Sequence, residues 1–198
     1  MPIHYPSNFP LDKASPRYYT YWELLLSKFR LLDRRIKAGK AVIVDRDVEF
    51  RMSDNARISI GDHTTIARYV YIFMTKPNPE LIVGSQVGIG RYCQINAKRL
   101  IEIGDYTRIG SFTTIRDNIH EPFHNKDEKV IETHSKIEPV KIGKNVWIGQ
   151  YCTIFPGVAI GDNAVISTYA VVTKDVEPMT VVAGQPARPV KLRSLDAG

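Results

Sequence analysis

An all-β fold, a parallel β-helix, is predicted by three observations. Aliphatic residues recur every six positions: Ile60, Ile66 and Ile72; Val83, Ile89 and Ile95; Ile103, Ile109 and Ile115; then Ile142, Ile148, Ile154, Ile160, Ile166 and Val172. Four positions after most of them comes a small or β-branched residue: Thr64, Val70, Val87, Cys93, Thr107, Thr113, Val146, Cys152, Val158, Ala164, Ala170 or Val176. Gly61, Gly84, Gly104, Gly143 and Gly161 each directly follow an aliphatic, with Asp62, Asp105, Asp162 and Asn163 close by. On an α-helix, six steps turn a side chain by about 240° and scatter the apolar positions. Strand side chains alternate with a period of two, so every sixth residue can face one side. Glycine and short acidic residues suit the corners between such strands. Coils of this kind bury their inward rows against one another and need caps at both ends.

The elements follow in order. The first fifteen residues read as irregular and proline-rich. An α-helix is expected from about Ser15 to Ala38. Ser15-Pro16 gives an N-cap followed by proline at the first helical position, and "TYWE" from Thr20 has capping-box form. Trp22, Leu25, Phe29, Leu32 and Ile36 make one apolar stripe, and Gly39 is a stop signal. The expected division is 1–41 as an irregular segment and capping helix, 42–179 as the β-helix, and 180–198 as a C-terminal cap. The six-residue beat lapses after "IRDNIH", so 116–141 reads as a long excursion loop. Loops of this length inside compact repeats usually serve function.

The 198 residues suffice for one sizeable core. No apolar run approaches the roughly 18 residues of a membrane span, and no basic-then-apolar secretion signal opens the chain, so a cytoplasmic protein is expected. Cys93 and Cys152 fall on the small inward row and read as core residues rather than nucleophiles. The net charge is +6, part of it in "KFRLLDRRIKAGK" at 28–40. That run suits a polyanion or, equally, the solvated face of a helix; no nucleic-acid motif accompanies it.

"PVKIGKNVWIGQYCTIFPGVAIGDNAVISTYAVVTKDV" followed by "VVAGQPARPVK" resembles the hexapeptide-repeat acyltransferases. The resemblance is strongest to the maltose, galactoside and surface-polysaccharide O-acetyltransferases. It implies a left-handed β-helix with three six-residue sides per coil, a homotrimer with sites between subunits, and acetyl-coenzyme A as donor. The handedness comes from the resemblance alone, since parallel crossovers are normally right-handed.

Acetyl transfer from a thioester to a hydroxyl needs a base to take the hydroxyl proton and donors for the oxyanion. In the resembling enzymes the catalytic histidine comes seventeen residues after the aliphatic opening the preceding coil. Counting from Ile103 gives His120 as general base. Here His120-Glu121-Pro122 stands where the family has His-Pro. Counting back from "VWIG" points nearer His124. His4 lies in the irregular N-terminus, His63 should face solvent at a corner, and His134, late in the excursion, has no motif around it. Asp117 and Glu121 are close enough in sequence to orient the imidazole, although Asp117 also suits a corner.

By the same resemblance, Asn96 and Trp147 would lie at the acceptor. Asn96 offers both a donor and an acceptor for a sugar hydroxyl or the oxyanion. Trp147 should point outward, toward a ligand or an interface. Gly149, Gln150, Ser167, Thr168, Thr173, Lys174 and Lys191 match coenzyme A positions, with Arg188 an alternative cation. Backbone groups at the first four would follow the pantetheine arm, and the basic residues would meet phosphates. "STYA" replaces a glycine-rich family run, so Tyr169 would narrow the donor channel.

The expected function is acetyl-coenzyme A-dependent O-acetylation of a sugar or surface-polysaccharide hydroxyl. Acetylation of an amino sugar, or a non-catalytic β-helix scaffold, are the alternatives. A zinc site of the γ-carbonic anhydrase kind lacks its paired histidines on regular coils, so no metal is expected. The N-terminal aromatics Tyr18, Tyr19 and Tyr21 and the 116–141 excursion are expected to shape acceptor choice.

Overall fold

The computed structural model describes residues 29–76, 78–120 and 135–193. Their backbone forms a three-sided solenoid of about six coils. Each coil gives one parallel strand to each of three sheets. The first sheet contains β1 (Ile36–Ala38), β4 (Arg57–Ile60), β7 (Glu80–Val83), β10 (Leu100–Ile103), β15 (Val140–Ile142) and β18 (Ala159–Ile160). The second contains β2 (Ile43–Val44), β5 (Thr65–Ile66), β8 (Gly88–Ile89), β11 (Arg108–Ile109), β16 (Trp147–Ile148) and β19 (Val165–Ile166), then β21 (Thr180–Gly184) and β22 (Ala187–Leu192). The third contains β3 (Glu49–Met52), β6 (Tyr71–Met74), β9 (Gln94–Asn96), β12 (Thr114–Arg116), β17 (Thr153–Ile154) and β20 (Val171–Val172).

Register explains the six-residue beat. Ile101 pairs with Val140, Ile109 with Ile148, and Ile115 with Ile154. Each aliphatic therefore stacks on its counterpart one coil away. Ile66, Ile72, Ile95, Ile148 and Ile154 are completely buried. The small inward row is buried throughout, from Thr64 to Val176. Its hydroxyls are satisfied by backbone: Thr64 donates to Gly84 O, Thr107 to Gly143 O, and Thr113 to Gly149 O. Both cysteines are free and buried in this row. Burial raises both thiol pKa values, that of Cys93 to about 11.

The structure corrects the start of the solenoid. The helix expected to reach Ala38 has ended before then, because Ile36–Ala38 is strand β1, paired with β4. Ile36 is buried in the core, so its place on the apolar stripe reflects strand burial. Most of the expected helix, with Trp22 and Leu25, lies outside the described residues. Two of the basic residues at 28–40 brace the first coil. Arg30 donates to Val44 O, and Arg35 donates to Met52 O and Ser53 O. Hydrogen bonds from Arg35 hold the Asp33 carboxyl down to about 2.

At the other end, β22 turns back antiparallel on β21 and extends the second sheet past the last coil. The excursion leaves the coils undisturbed, since β10 pairs directly with β15 across it. It departs and returns as an antiparallel pair, β13 (Asn118–His120) and β14 (Ser135–Ile137).

Candidate active site

Asp117 anchors the excursion. Its carboxylate is fully buried and accepts the backbone N–H groups of Lys98, Arg99 and Leu100 at 2.7–2.8 Å. Asn118 Nδ2 donates to the same carboxylate and to Asn96 O, both at 3.1 Å. Asp117 therefore acts as a corner residue, its oxygens accepting the N–H groups of the turn below. The pair β13–β14 then sets His120 opposite Ser135, with His120 exposed. Lys98 Nζ donates to Ser135 Oγ at 3.0 Å, tying the coil to the returning strand. His124, Glu121 and His134 lie outside the described residues. His63 is exposed at a corner with φ of 57°.

Asn96 belongs to β9, beside Arg116 of β12 and Phe73 of β6. It faces outward from the third sheet, because the alternate residue Ile95 is buried. Its backbone carbonyl also accepts the Asp117 N–H at 3.2 Å. Asn96 and the root of the His120 strand therefore share one edge of the prism.

The remaining residues sit elsewhere. Trp147 faces outward from the second sheet and is 61% exposed. In register, Arg108, Trp147, Val165, Val181 and Lys191 form a single outward row. Three strand spacings, roughly 14 Å, separate Trp147 from Lys191 along it. Trp147, Gly149, Val165, Ile166, Ser167 and Thr168 enclose a pocket of about 240 Å³. Gly149 is required there, since a Cβ would meet Thr168 N at 2.5 Å. Gln150, at the next corner, accepts the Tyr169 N–H at 2.9 Å through its carbonyl. Lys174, Arg188 and Lys191 line a cleft of about 680 Å³ at the solenoid's end, together with Val172, Val176 and Leu192. Thr173 is exposed beside it.

Two features were missed from sequence. Arg108 adjoins Trp147 in register, and burial lowers its guanidinium pKa. Gly88 makes room for it, because a Cβ there would lie 2.9 Å from Arg108 Cδ. The second is an aromatic column at the corner between the second and third sheets. Tyr69, Tyr92, Phe112, Tyr151 and Tyr169 stack in succession with centroids 4.8–4.9 Å apart. Tyr169, expected in the donor channel, is the last ring of this column and is not among the residues lining the pocket beside Trp147.

Two groups of candidate residues thus lie on opposite sides of one prism, while Thr173 and Lys174, which follow β20, lie at the corner between the third and first sheets, two coils from the His120 strand. The His120 strand leaves from the corner between the third and first sheets. The Trp147 row lies on the second sheet, which faces away from that corner. Among the described residues no three His, Cys, Asp or Glu side chains gather as a metal site, and no helix is long and apolar enough to cross a membrane.

A three-sided parallel solenoid of six-residue sides, with a strand pair inserted between coils, is the architecture of the hexapeptide β-helices. Residues 139–174 match the family described as "Bacterial transferase hexapeptide (six repeats)". The repeats of that family are therefore present over those residues, and the parallel solenoid is consistent with the left-handed β-helix. Galactoside O-acetyltransferase of Escherichia coli (strain K12) is 41% identical over 114 residues, covering 54% of this chain and 55% of that protein. A probable macrolide acetyltransferase of Lysinibacillus sphaericus is 40% identical over 119 residues, 58% of this chain and 64% of that one. The chain spans little more than half the length of these curated relatives. Among solved structures, the Bacillus cereus N-acyltransferase AntD in complex with dTDP and 3-hydroxybutyryl-CoA superposes with a TM-score of 0.72 at 22% identity. That match covers 85% of this chain and 89% of AntD. A galactoside acetyltransferase in complex with coenzyme A gives 0.56 at 23% identity, covering 90% and 76%.

Proposed function

We propose that this protein transfers an acetyl group from acetyl-coenzyme A to a saccharide hydroxyl, as a ring of identical subunits with each site shared between two of them. The observation carrying this reading is the placement of His120 on a strand anchored by Asp117, on the side of the prism opposite the Trp147 row. One chain holds the base and Asn96 at one corner, and on the far face the acceptor candidate Trp147 beside the donor positions Gly149, Ser167 and Thr168. A rotational arrangement brings the edge of one copy to the groove of the next.

In that site His120 takes the hydroxyl proton as the oxygen attacks the thioester carbonyl. Backbone N–H at Gln150 and the Asn96 amide are the candidate oxyanion donors. The pantetheine arm lies along Gly149, Ser167 and Thr168, where Gly149 permits close approach to backbone. Its phosphates reach Lys191, Lys174 and Thr173, with Arg188 beside them. Collapse of the tetrahedral species expels the coenzyme A thiolate, and His120 returns the proton. The relative with 41% identity, named a galactoside O-acetyltransferase, favours a hydroxyl on a sugar. The relative named a macrolide acetyltransferase makes a non-saccharide hydroxyl the competitor. Ester or amide linkage in the product separates a hydroxyl from an amine acceptor.

The test is thiol release from acetyl-coenzyme A across a panel of sugars, amino sugars, a macrolide and chloramphenicol. His120→Ala should lower kcat by roughly 10²–10⁴. Undiminished turnover in that variant sinks the assignment of the base. Calorimetry with no detectable coenzyme A binding supports the scaffold reading instead.

A further inference from the structure

We infer that the outward face of β3, β6, β9 and β12 is the acceptor subsite, and that Arg116 makes it selective for saccharides bearing an anionic group, a carboxylate or a phosphate. This rests on the acetyl-transfer reading and deepens it.

Two outward rows run along this face. One holds Glu49, Tyr71, Gln94 and Thr114; the other holds Arg51, Phe73, Asn96 and Arg116. Tyr71 and Phe73 stack at 5.9 Å and give an aromatic platform. Gln94 and Asn96, one coil on, give paired amides suited to hydroxyls. Thr114 and Arg116 complete the face, four residues before His120.

The two cations on it differ. Arg51 is committed: its Nε lies 2.6 Å from Glu49 Oε1 and its guanidinium lies 5.7 Å from the Tyr71 ring centre. Arg116 has no carboxylate partner among the described residues, and its Nε is buried without any hydrogen-bond partner. The other such group, Arg68 Nε, lies 3.4 Å from the Asp45 carboxylate. A buried donor left unmatched in a partly exposed side chain calls for an acceptor from outside. The nearest acid in sequence, Asp117, is saturated by backbone N–H groups. A guanidinium in this setting takes a carboxylate or phosphate through paired hydrogen bonds, while the amides and aromatic platform hold the ring.

Initial rates with glucose, glucuronate and glucose 1-phosphate test this in wild type and Arg116→Gln. Wild type should show a KM about tenfold lower for the two anionic sugars, and raising salt should weaken that preference. The two anionic probes together separate carboxylate from phosphate preference. Arg116→Gln should cut the anionic-to-neutral ratio of kcat/KM by about tenfold. Turnover of all three with no anionic preference in wild type overturns the inference and leaves acetyl transfer standing. An equal loss for all three in the variant, at unchanged melting temperature, also overturns it. Absence of thiol release with every saccharide removes both readings. If the variant does not fold, the salt dependence in wild type decides.

Discussion

Phe112 and Tyr151 stand on either side of the excursion, yet their rings stack 4.8 Å apart and 3° from parallel. Both have left-handed backbone, with φ of 63° and 56°. So do Tyr69, Tyr92 and Tyr169, the other rings of the column. A non-glycine residue in this region costs about 1–2 kcal/mol. Stacked aromatic pairs return about 0.5–1.5 kcal/mol each. The column thus offsets the strain of its own corner. Tyr151→Ala removes two stacks and keeps the strain, and should lower unfolding free energy by about 1–3 kcal/mol. Tyr151→Gly loses the same stacks but relieves the backbone, so it should be about 1 kcal/mol more stable than the alanine variant. Urea unfolding of the three proteins checks the order; glycine falling below alanine defeats the strain argument.

Asp117 should be among the most sensitive polar positions. Its carboxylate satisfies three backbone N–H groups at full burial. Asp117→Ala leaves these donors unmatched and should cost about 3–5 kcal/mol, while Asn, which retains one acceptor oxygen, should cost less. The same change loosens the root of β13, so kcat should fall alongside stability. A stable Asp117→Ala protein by urea titration contradicts this account.

The repeat was legible because each aliphatic meets its counterpart one coil away, which makes burial visible as spacing. The outward positions of Asn96 and Trp147 followed from the same alternation. The aromatic column was equally periodic: Tyr69, Tyr92, Phe112, Tyr151 and Tyr169 each come three residues after an aliphatic. Tyr169 was read instead against a family motif, because bulky residues are not expected at left-handed corners. Arg116 gave no signal, since its significance lies in what the neighbouring strands withhold from it. The helix was overextended because Ile36 fits both a helical stripe and an inward strand position. No local cue in sequence separates these when a capping segment runs straight into the first coil.

The Cys93 thiol offers a pH-dependent readout of core integrity. Burial raises its pKa from 9.0 to about 11. The unfolded chain loses that proton near pH 9 while the native chain keeps it, so stability falls as pH rises from about 9 to 11. Two pH units correspond to about 2–3 kcal/mol. In Cys93→Ala the proton difference disappears, so unfolding free energy should decline less steeply over that window. Native protein at about pH 8 should also resist iodoacetamide at both cysteines, and react once denatured. Parallel alkaline slopes for wild type and variant would remove Cys93 as the cause.

The opposite placement of His120 and the Trp147 row makes a prediction that does not depend on the acceptor. If each site takes its base from one subunit and its donor groove from the next, a chain lacking the base still contributes an intact groove. His120→Ala and Trp147→Ala proteins should each show strongly reduced acetyl transfer. Mixed oligomers from co-expression contain junctions in which the intact histidine of one variant faces the intact tryptophan of the other. With equal amounts and random assembly, about a quarter of junctions are intact at both positions, so activity should recover to about that fraction of wild type. A site contained within one chain cannot be repaired by mixing, because every chain carries a lesion. Activity that stays at the level of the separate variants, with mixed oligomers shown by two affinity tags, rules out the shared site.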